Sequence, residues 1–251
     1  MALSPMPYFT KKPGLLDLGC RQKCPGARTR MFAEIDGLSR KEQGLLCGLS
    51  LLCVGIYFVV HGLRISTGYG AWELVLIGVY GLLLHDLTRV SPLKMGLGLR
   101  PGPSWGHWVR FSLLTGGLIG GVLLIFLPPS IYLGWLLVPE YGRQFGIEQL
   151  RHWLWYACVL APLAEEGLFR WMLCPVLVAL WGLRPAVLIS GALFGVLHVV
   201  YGNPSPDNLL AGYFMAWAFI KSKSIWVPVL MHAAGNLLVG LLFFAVYYFG
   251  L

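Results

Sequence analysis

Long apolar runs, separated by short polar segments, fill most of the chain from residue 44 to the C-terminus. About 20 consecutive apolar residues are enough for a helix to cross the hydrocarbon core of a bilayer. Lipid offers the backbone no hydrogen-bond partners, and the runs lack the alternation of barrel strands, so we expect helices. The predicted fold class is all-α, a polytopic transmembrane helix bundle. The predicted spans are residues 44–62, 71–88, 109–127, 152–175, 186–202, 208–220 and 226–249.

The composition supports this assignment, because 57% of the residues are hydrophobic and only 12% are charged. Soluble domains are about 45–50% apolar and about 25% charged. A soluble fold of this length could not bury so much apolar surface. The lipid bilayer is therefore the first predicted partner of the chain.

Basic residues give the chain a formal net charge of +8, and their distribution predicts its orientation. Eight of the 19 lie in the first 43 positions, and cytoplasmic segments of membrane proteins retain Lys and Arg. With a cytoplasmic N-terminus, 15 basic residues fall on the inner side of the bundle and three on the outer side. We therefore predict a basic cytoplasmic N-terminal segment, 1–43, and a transmembrane domain, 44–251. The same distribution argues against a nucleic acid partner.

The apolar segment 130–138 leaves the number of spans open. It is too short to cross a bilayer alone and fits an interfacial piece, a re-entrant piece or half of an eighth span. An eighth span would reverse part of the orientation and weaken the charge bias, so seven spans are favoured.

Two further patterns have both a plain and a specific interpretation. Cys20 and Cys24 have the spacing of half a zinc site, but structural zinc normally needs four ligands and no second pair lies nearby. Ordinary reduced thiols are therefore expected. The glycine-rich stretch Gly116–Gly121 contains two GxxxG spacings, which allow helix backbones to approach closely. Packing inside the bundle is expected there, and a homodimer interface is the alternative.

Charged residues inside the fourth span are the first candidates for function. Charge in a transmembrane helix costs at least a few kcal/mol and by default marks a functional site. Glu166 and Arg170 are four residues apart, so they share a helix face and can form an ion pair. Glu165 is rotated by about 100° from its neighbour and is free to face another group.

Polar residues in two later spans complete the candidate site. His198 follows Phe194 by one turn in the fifth span, and His232 and Asn236 share a face of the seventh. Each of them alone would be explained by hydrogen bonding within the bundle. With a rise of about 1.5 Å per residue, however, they fall at depths that overlap with Glu165. We therefore expect one polar layer in the cytoplasmic half of the bilayer.

The three segments together resemble the CPBP family of intramembrane endopeptidases, the CAAX protease and bacteriocin-processing group also called ABI. That family carries Glu-Glu-x-x-x-Arg, then Phe-x-x-x-His, then His-x-x-x-Asn or Asp. The matching segments occur here in the same order, one in each of three spans. They are Glu165–Arg170, Phe194–His198 and His232–Asn236. The resemblance covers about residues 150–250, which we take as the catalytic core.

The resemblance implies hydrolysis of a peptide bond by a water molecule that a glutamate activates. Glu165 would be the general base, and His198 would help to orient or activate the water. His232 and Asn236 would stabilise the oxyanion, because such side chains are hydrogen-bond donors of the kind that form oxyanion holes. The implied substrate is a membrane-anchored protein or peptide, and no cofactor is implied.

The resemblance assigns supporting roles to the remaining motif residues. Glu166 and Arg170 would hold the first motif as a salt-bridged pair, and Phe194 would pack against the site. The compact chain suggests the cytoplasmic membrane of a bacterium or archaeon.

Other functions of these residues stay open at the level of sequence. One Glu and two His could bind a catalytic zinc ion, although the chain lacks the His-Glu-x-x-His pattern of zinc proteases. A transporter or proton relay also carries charge within the membrane. It predicts polar residues through the full depth and inverted repeats, which the sequence does not display. A non-catalytic immunity-type scaffold of the same fold is the third alternative.

Overall fold

A computed structural model describes residues 32–63, 71–132, 145–202 and 206–249 of the chain. Helices dominate these ranges, and no strand occurs within them, which confirms the predicted all-α class. Cys20, Cys24 and residues 133–138 lie outside the described residues, as does most of the basic N-terminal segment.

Ten α-helices follow one another along the described part of the chain, with one short 3-10 helix at Pro92–Met95. They are α1 (Ala33–Asp36), α2 (Arg40–Gly62), α3 (Ala71–Thr88), α4 (Trp105–Tyr132), α5 (Ile147–Trp155), α6 (Ala161–Glu166), α7 (Cys174–Trp181), α8 (Leu183–Val200), α9 (Pro206–Ser222) and α10 (Trp226–Phe249). Two π-helical segments, Tyr156–Leu160 and Gly167–Leu173, join α5 to α6 and α6 to α7.

Each predicted span corresponds to a helical stretch, and the second and seventh predictions match α3 and α10 at both ends. Three helices among the described residues are long and apolar enough to cross a membrane, namely α2, α8 and α10. These apolar helices indicate a membrane protein. The number of spans and the side of the N-terminus stay predictions.

The first long helix begins four residues before the predicted apolar run. Ser39 caps it, because its hydroxyl accepts a hydrogen bond from the Glu42 amide while the Glu42 carboxylate accepts one from the Ser39 amide at 2.8 Å. This capping box satisfies amide groups of the first turn. Hydropathy marks where the chain becomes apolar, whereas the cap sets where the helix begins, so the two boundaries differ.

The short helix α1 is attached to the bundle on the side where α2 begins. Phe32 stacks on Phe219 with ring centroids 5.7 Å apart, and Lys94 donates a hydrogen bond to Glu34. That hydrogen bond lowers the pKa of the half-buried Glu34 carboxyl. Residues just before the first span are thereby attached to the loop that follows α3.

The helices α8 and α9 pack closely through glycine. A Cβ at Gly191 would lie 2.1 Å from Cδ1 of Tyr213, and one at Gly195 would lie 2.7 Å from Cδ1 of Leu209. A Cβ at Gly212 would lie 2.9 Å from the Gly191 carbonyl oxygen. Small residues let these two backbones approach each other, which fixes α8 against α9.

The glycine-rich stretch of α4 does not show the internal packing that the sequence favoured. A Cβ at Gly116, Gly117, Gly120 or Gly121 would meet no atom of the described chain within 4 Å. The internal helix contact of this kind forms instead between α8 and α9. The homodimer interface through Gly116–Gly121 stays a prediction.

Candidate active site

Two π-helical segments flank the turn that carries both glutamates. The sequence predicted one regular span over 152–175, but α6 (Ala161–Glu166) lies between two wider segments. Each π segment ends two residues before a proline, Pro162 and Pro175. A proline has no amide hydrogen, and its ring presses on the preceding turn. A widened turn accommodates both effects, and π-bulges are frequent at functional sites.

The wider turns provide backbone carbonyls that accept hydrogen bonds from other helices. The Ala157 carbonyl accepts one from Nδ2 of Asn236 at 2.6 Å. The Phe169 carbonyl accepts one from Oγ of Ser190 at 2.9 Å. These two bonds connect the glutamate-bearing segment to α10 and to α8, the helices that carry the other motif residues.

Glu166 forms the predicted ion pair with Arg170. It also contacts a second residue, His232, which the spacing did not predict. Nε of Arg170 lies 3.0 Å from Oε2 of Glu166, without the alignment of a hydrogen bond. Nδ1 of His232 lies 2.9 Å from Oε1 of the same carboxylate. All three side chains are buried, and Glu166 and Arg170 have no exposed surface. The carboxylate therefore holds the first and third motifs together.

Arg170 also fixes two neighbouring helices. Its Nη2 donates a hydrogen bond to the Gly212 carbonyl of α9 at 3.1 Å. Its guanidinium carbon lies 4.4 Å from the centroid of the Phe194 ring, within cation–π distance. The Phe194 ring in turn lies 4.5 Å from the His198 ring and 5.6 Å from the His232 ring, measured between centroids. Phe194 thus contacts residues of all three motifs.

Glu165 is buried but unpaired. Its side chain is 4% exposed, and its Oε2 has no hydrogen-bond partner among the described residues. Its carboxylate interacts electrostatically with His232, His198, Glu166 and Arg170. A buried polar oxygen without a partner is uncommon in folded proteins and calls for an explanation such as a catalytic role or a bound water.

The two histidines are each anchored through Nδ1. Nδ1 of His198 lies 3.0 Å from the Phe194 carbonyl oxygen, which can only accept. Nδ1 therefore carries a proton, and in a neutral ring Nε2 of His198 is an acceptor. Nδ1 of His232 faces the acceptor-only Glu166 carboxylate, so its Nε2 donates a hydrogen bond only when the ring carries both protons.

Asn236 lies one turn beyond His232 and is half-buried. Of its two amide hydrogens, one is used in the bond to the Ala157 carbonyl. The backbone carbonyl of Asn236 accepts a hydrogen bond from Nε1 of Trp153 at 2.7 Å. Both contacts fix α10 against the segment that precedes the glutamates and leave one amide hydrogen for another acceptor.

Four polar residues near this site were not identified from the sequence. Tyr201 donates a hydrogen bond to Tyr57 at 2.6 Å, and Nε2 of His61 lies 3.5 Å from Oε1 of Glu73. Glu73 is 3% exposed. The signal was present, because His61 and Glu73 are ionisable groups at the edges of apolar runs, the same criterion that identified Glu165.

We find no group of three or more His, Cys, Asp or Glu side chains in the described ranges that could hold a metal ion. Oε1 of Glu166 is hydrogen-bonded to Nδ1 of His232.

The fold and the site define a helical membrane protein with a buried Glu, His and Asn centre shared by three helical segments. Residues 148–238 match the family model described as type II CAAX prenyl endopeptidase Rce1-like. This match confirms the resemblance to the CPBP and CAAX protease family over that segment, which lies entirely C-terminal to α4. The family indicates a protease. Comparisons with curated proteins and with solved structures gave no match.

Proposed function

We propose that this chain is a glutamate-type intramembrane endopeptidase that cleaves a peptide bond of a membrane-associated protein or peptide. The observation that carries the proposal is the buried carboxylate of Glu165, which has an unpartnered oxygen in the described structure and lies within electrostatic range of two histidines. A carboxylate in that state is suited to accept a proton from water.

In the proposed mechanism, two acceptors hold the water. Glu165 offers a free oxygen, and His198 offers the lone pair of Nε2. A water that donates one hydrogen to each acceptor directs an oxygen lone pair at the substrate carbonyl. As the C–O bond forms, Glu165 takes the proton. It then delivers this proton to the departing amine nitrogen as the C–N bond breaks.

Two donors are suited to stabilise the oxyanion of the tetrahedral intermediate. The second amide hydrogen of Asn236 is one, because the bond to Ala157 uses only the first. The other is Nε2–H of doubly protonated His232, whose opposite nitrogen is held by Glu166. Removal of one oxyanion donor typically reduces kcat by about 10²–10³-fold.

In the proposed mechanism, hydrolysis of the peptide bond does not require a metal ion. His232 is engaged by Glu166 through Nδ1, and Glu166 in turn by Arg170. We expect proteolysis to continue in the presence of a strong chelator. Loss of proteolysis with chelator, restored by added zinc, would instead support the alternative in which one Glu and two His bind zinc.

The decisive experiment compares cells that express the wild-type chain with cells that express Glu165→Gln. Comparative membrane proteomics should detect at least one membrane protein that accumulates uncleaved in the variant. Glu148→Gln is the matched control, since Glu148 is an exposed carboxylate of the same helical stretch, paired with Arg151. A Glu165→Gln proteome that equals that of the control would contradict the proposal.

A further inference from the structure

A pair of tyrosines connects the N-terminal helix α2 to the end of α8. The Tyr201 hydroxyl donates a hydrogen bond to the Tyr57 hydroxyl at 2.6 Å. Tyr57 is only 2% exposed, and Tyr201 is half-buried. The Tyr201 ring lies 5.7 Å from the His198 ring, so the pair lies beside the proposed catalytic residues.

The rings of both tyrosines are held in place by a histidine. The centroid of the His61 ring lies 4.4 Å from that of Tyr57 and 4.9 Å from that of Tyr201, edge to face in each case. His61 itself lies 3.5 Å from Glu73 of α3. The His61 ring therefore packs against both members of the pair.

One of the two hydroxyl protons of the Tyr57–Tyr201 pair is not used in the bond between them. Two hydroxyls carry two protons, and the bond between them uses one. The other proton needs an acceptor, because a buried donor without one is destabilising. Glu165 Oε2 is a buried acceptor with no partner in the described ranges. The Glu165 carboxylate interacts electrostatically with both hydroxyls.

We propose that the Tyr57–Tyr201 pair positions the Glu165 carboxylate by donating this remaining proton to it through one bridging water. A carboxylate has about four acceptor sites, so Glu165 can accept this hydrogen bond and one from the catalytic water at the same time. Tyr57 is then a positioning residue that lies outside the matched segment 148–238. The inference rests on the proposed function for its consequence in catalysis, but the contact itself can be tested without a substrate.

The contact is tested by a double-mutant cycle in the full-length protein in detergent. We expect Tyr57→Phe and Glu165→Gln each to shift Tm, and the double variant to shift it by clearly less than the sum, because both remove the same interaction. Tyr80→Phe is the matched control. Tyr80 is equally buried, and its hydroxyl bonds to the Met172 carbonyl at 3.2 Å. Its shift should add to that of Glu165→Gln. Additive shifts for Tyr57→Phe would overturn the proposal.

The catalytic consequence is tested with a quenched fluorescent peptide that ends in a farnesylated CAAX sequence. Tyr57→Phe should lower kcat by about tenfold, the equivalent of one hydrogen bond, and leave KM unchanged. Tyr80→Phe should keep kcat within about twofold of wild type. A loss confined to KM, or an equal loss in both variants, would contradict a positioning role. If wild type leaves this peptide intact, the peptide is not its substrate, and the Tm cycle still decides whether the contact exists.

Discussion

Arg170 is fully buried and contacts Glu166, the Gly212 carbonyl and the Phe194 ring. A buried charge that loses its partner is uncompensated, and breaking such a pair typically costs about 3–5 kcal/mol. We therefore expect Arg170→Met to lower the free energy of unfolding by about that amount. Chemical denaturation in detergent measures it.

The matched control for this change is Arg151→Met, since Arg151 forms an exposed pair with Glu148. Exposed pairs contribute little, so the control should leave unfolding almost unchanged. The double variant Arg170→Met with Glu166→Gln should recover part of the loss, because the uncompensated carboxylate is then gone. A double variant no more stable than Arg170→Met would show that packing, and not the charge, explains the loss.

His198 leads to a prediction on activity rather than on stability. Among the described residues, its ring forms one hydrogen bond, to the Phe194 carbonyl of its own helix, and it is half-buried. His198→Ala should therefore keep the fold, with a Tm close to that of wild type. Cleavage should fall by about 10²–10⁴-fold, the usual contribution of a group that takes part in proton transfer.

Cleavage of the membrane protein that accumulates in Glu165→Gln cells measures this effect. His85→Ala is the control, because His85 is an exposed histidine of α3. Equal cleavage by the two histidine variants would remove His198 from the proposed mechanism.

The contrast between Glu165 and Glu166 shows what the sequence can predict at this scale. Helix periodicity correctly separates the faces of two adjacent residues and pairs Glu166 with Arg170. It could not predict that His232 also reaches Glu166, since that contact depends on the packing of α10 against α6. Tyr57 was missed for a similar reason, because an aromatic residue in an apolar run gives no signal until its hydroxyl partner is known.

At the scale of helices and their contacts, the interface between α8 and α9 positions two parts of the site. The helix α8 carries His198, and α9 provides the Gly212 carbonyl that binds Arg170. We expect Gly191→Ala to push the helices apart, because its Cβ would lie 2.1 Å from the Tyr213 ring. Overpacking of this kind typically costs about 1–3 kcal/mol. Both Tm and cleavage should fall.

Gly117→Ala is the control for this substitution, as a Cβ there would meet no described atom within 4 Å. It should keep cleavage and raise stability by about 0.5–1 kcal/mol, since Ala is the better helix former. A Gly191→Ala variant as stable and active as this control would contradict the packing shown by α8 and α9.

Helix boundaries and helix type were predictable to different degrees. The runs 71–88 and 226–249 gave both ends of α3 and α10, because the change from polar to apolar coincides there with the helix ends. The stretch 152–175 was predicted as one span, but it contains two π segments. Hydropathy is insensitive to the extra residue in a widened turn. The prolines at 162 and 175 are the only signal in the sequence for that irregularity.

At the scale of the whole molecule, three half-buried polar residues lie toward one end of the bundle. His61, His198 and Tyr201 are all close to the ends of α2 and α8. These ends meet, since a Cβ at Gly62 would lie 3.6 Å from the Val200 side chain. In the other direction, the chain is continuously buried from residue 164 to residue 179. We therefore expect water and substrate to reach Glu165 from the end where α2 and α8 end.

This access route brings two predictions from the sequence into conflict. A cytoplasmic N-terminus places the end of α2 on the outer side of the membrane, whereas the site was expected in the cytoplasmic half. The orientation rests on 15 basic residues against three, a strong bias that applies to short loops. The depth of the site rested on span boundaries that differ from the helix ends by several residues. We therefore expect the orientation to hold and the site to open on the outer side.

Cysteine labelling in intact cells can test this orientation, in a chain whose six native cysteines are replaced by alanine. Leu63→Cys marks the end of α2, and Leu93→Cys marks the opposite end of the bundle, in the 3-10 helix after α3. The two positions are matched in exposure, at 68% and 67%. A membrane-impermeant maleimide should label Leu63→Cys in intact cells and Leu93→Cys only after permeabilisation. The reverse pattern would place the N-terminus outside, and the route to Glu165 would then open into the cytoplasm.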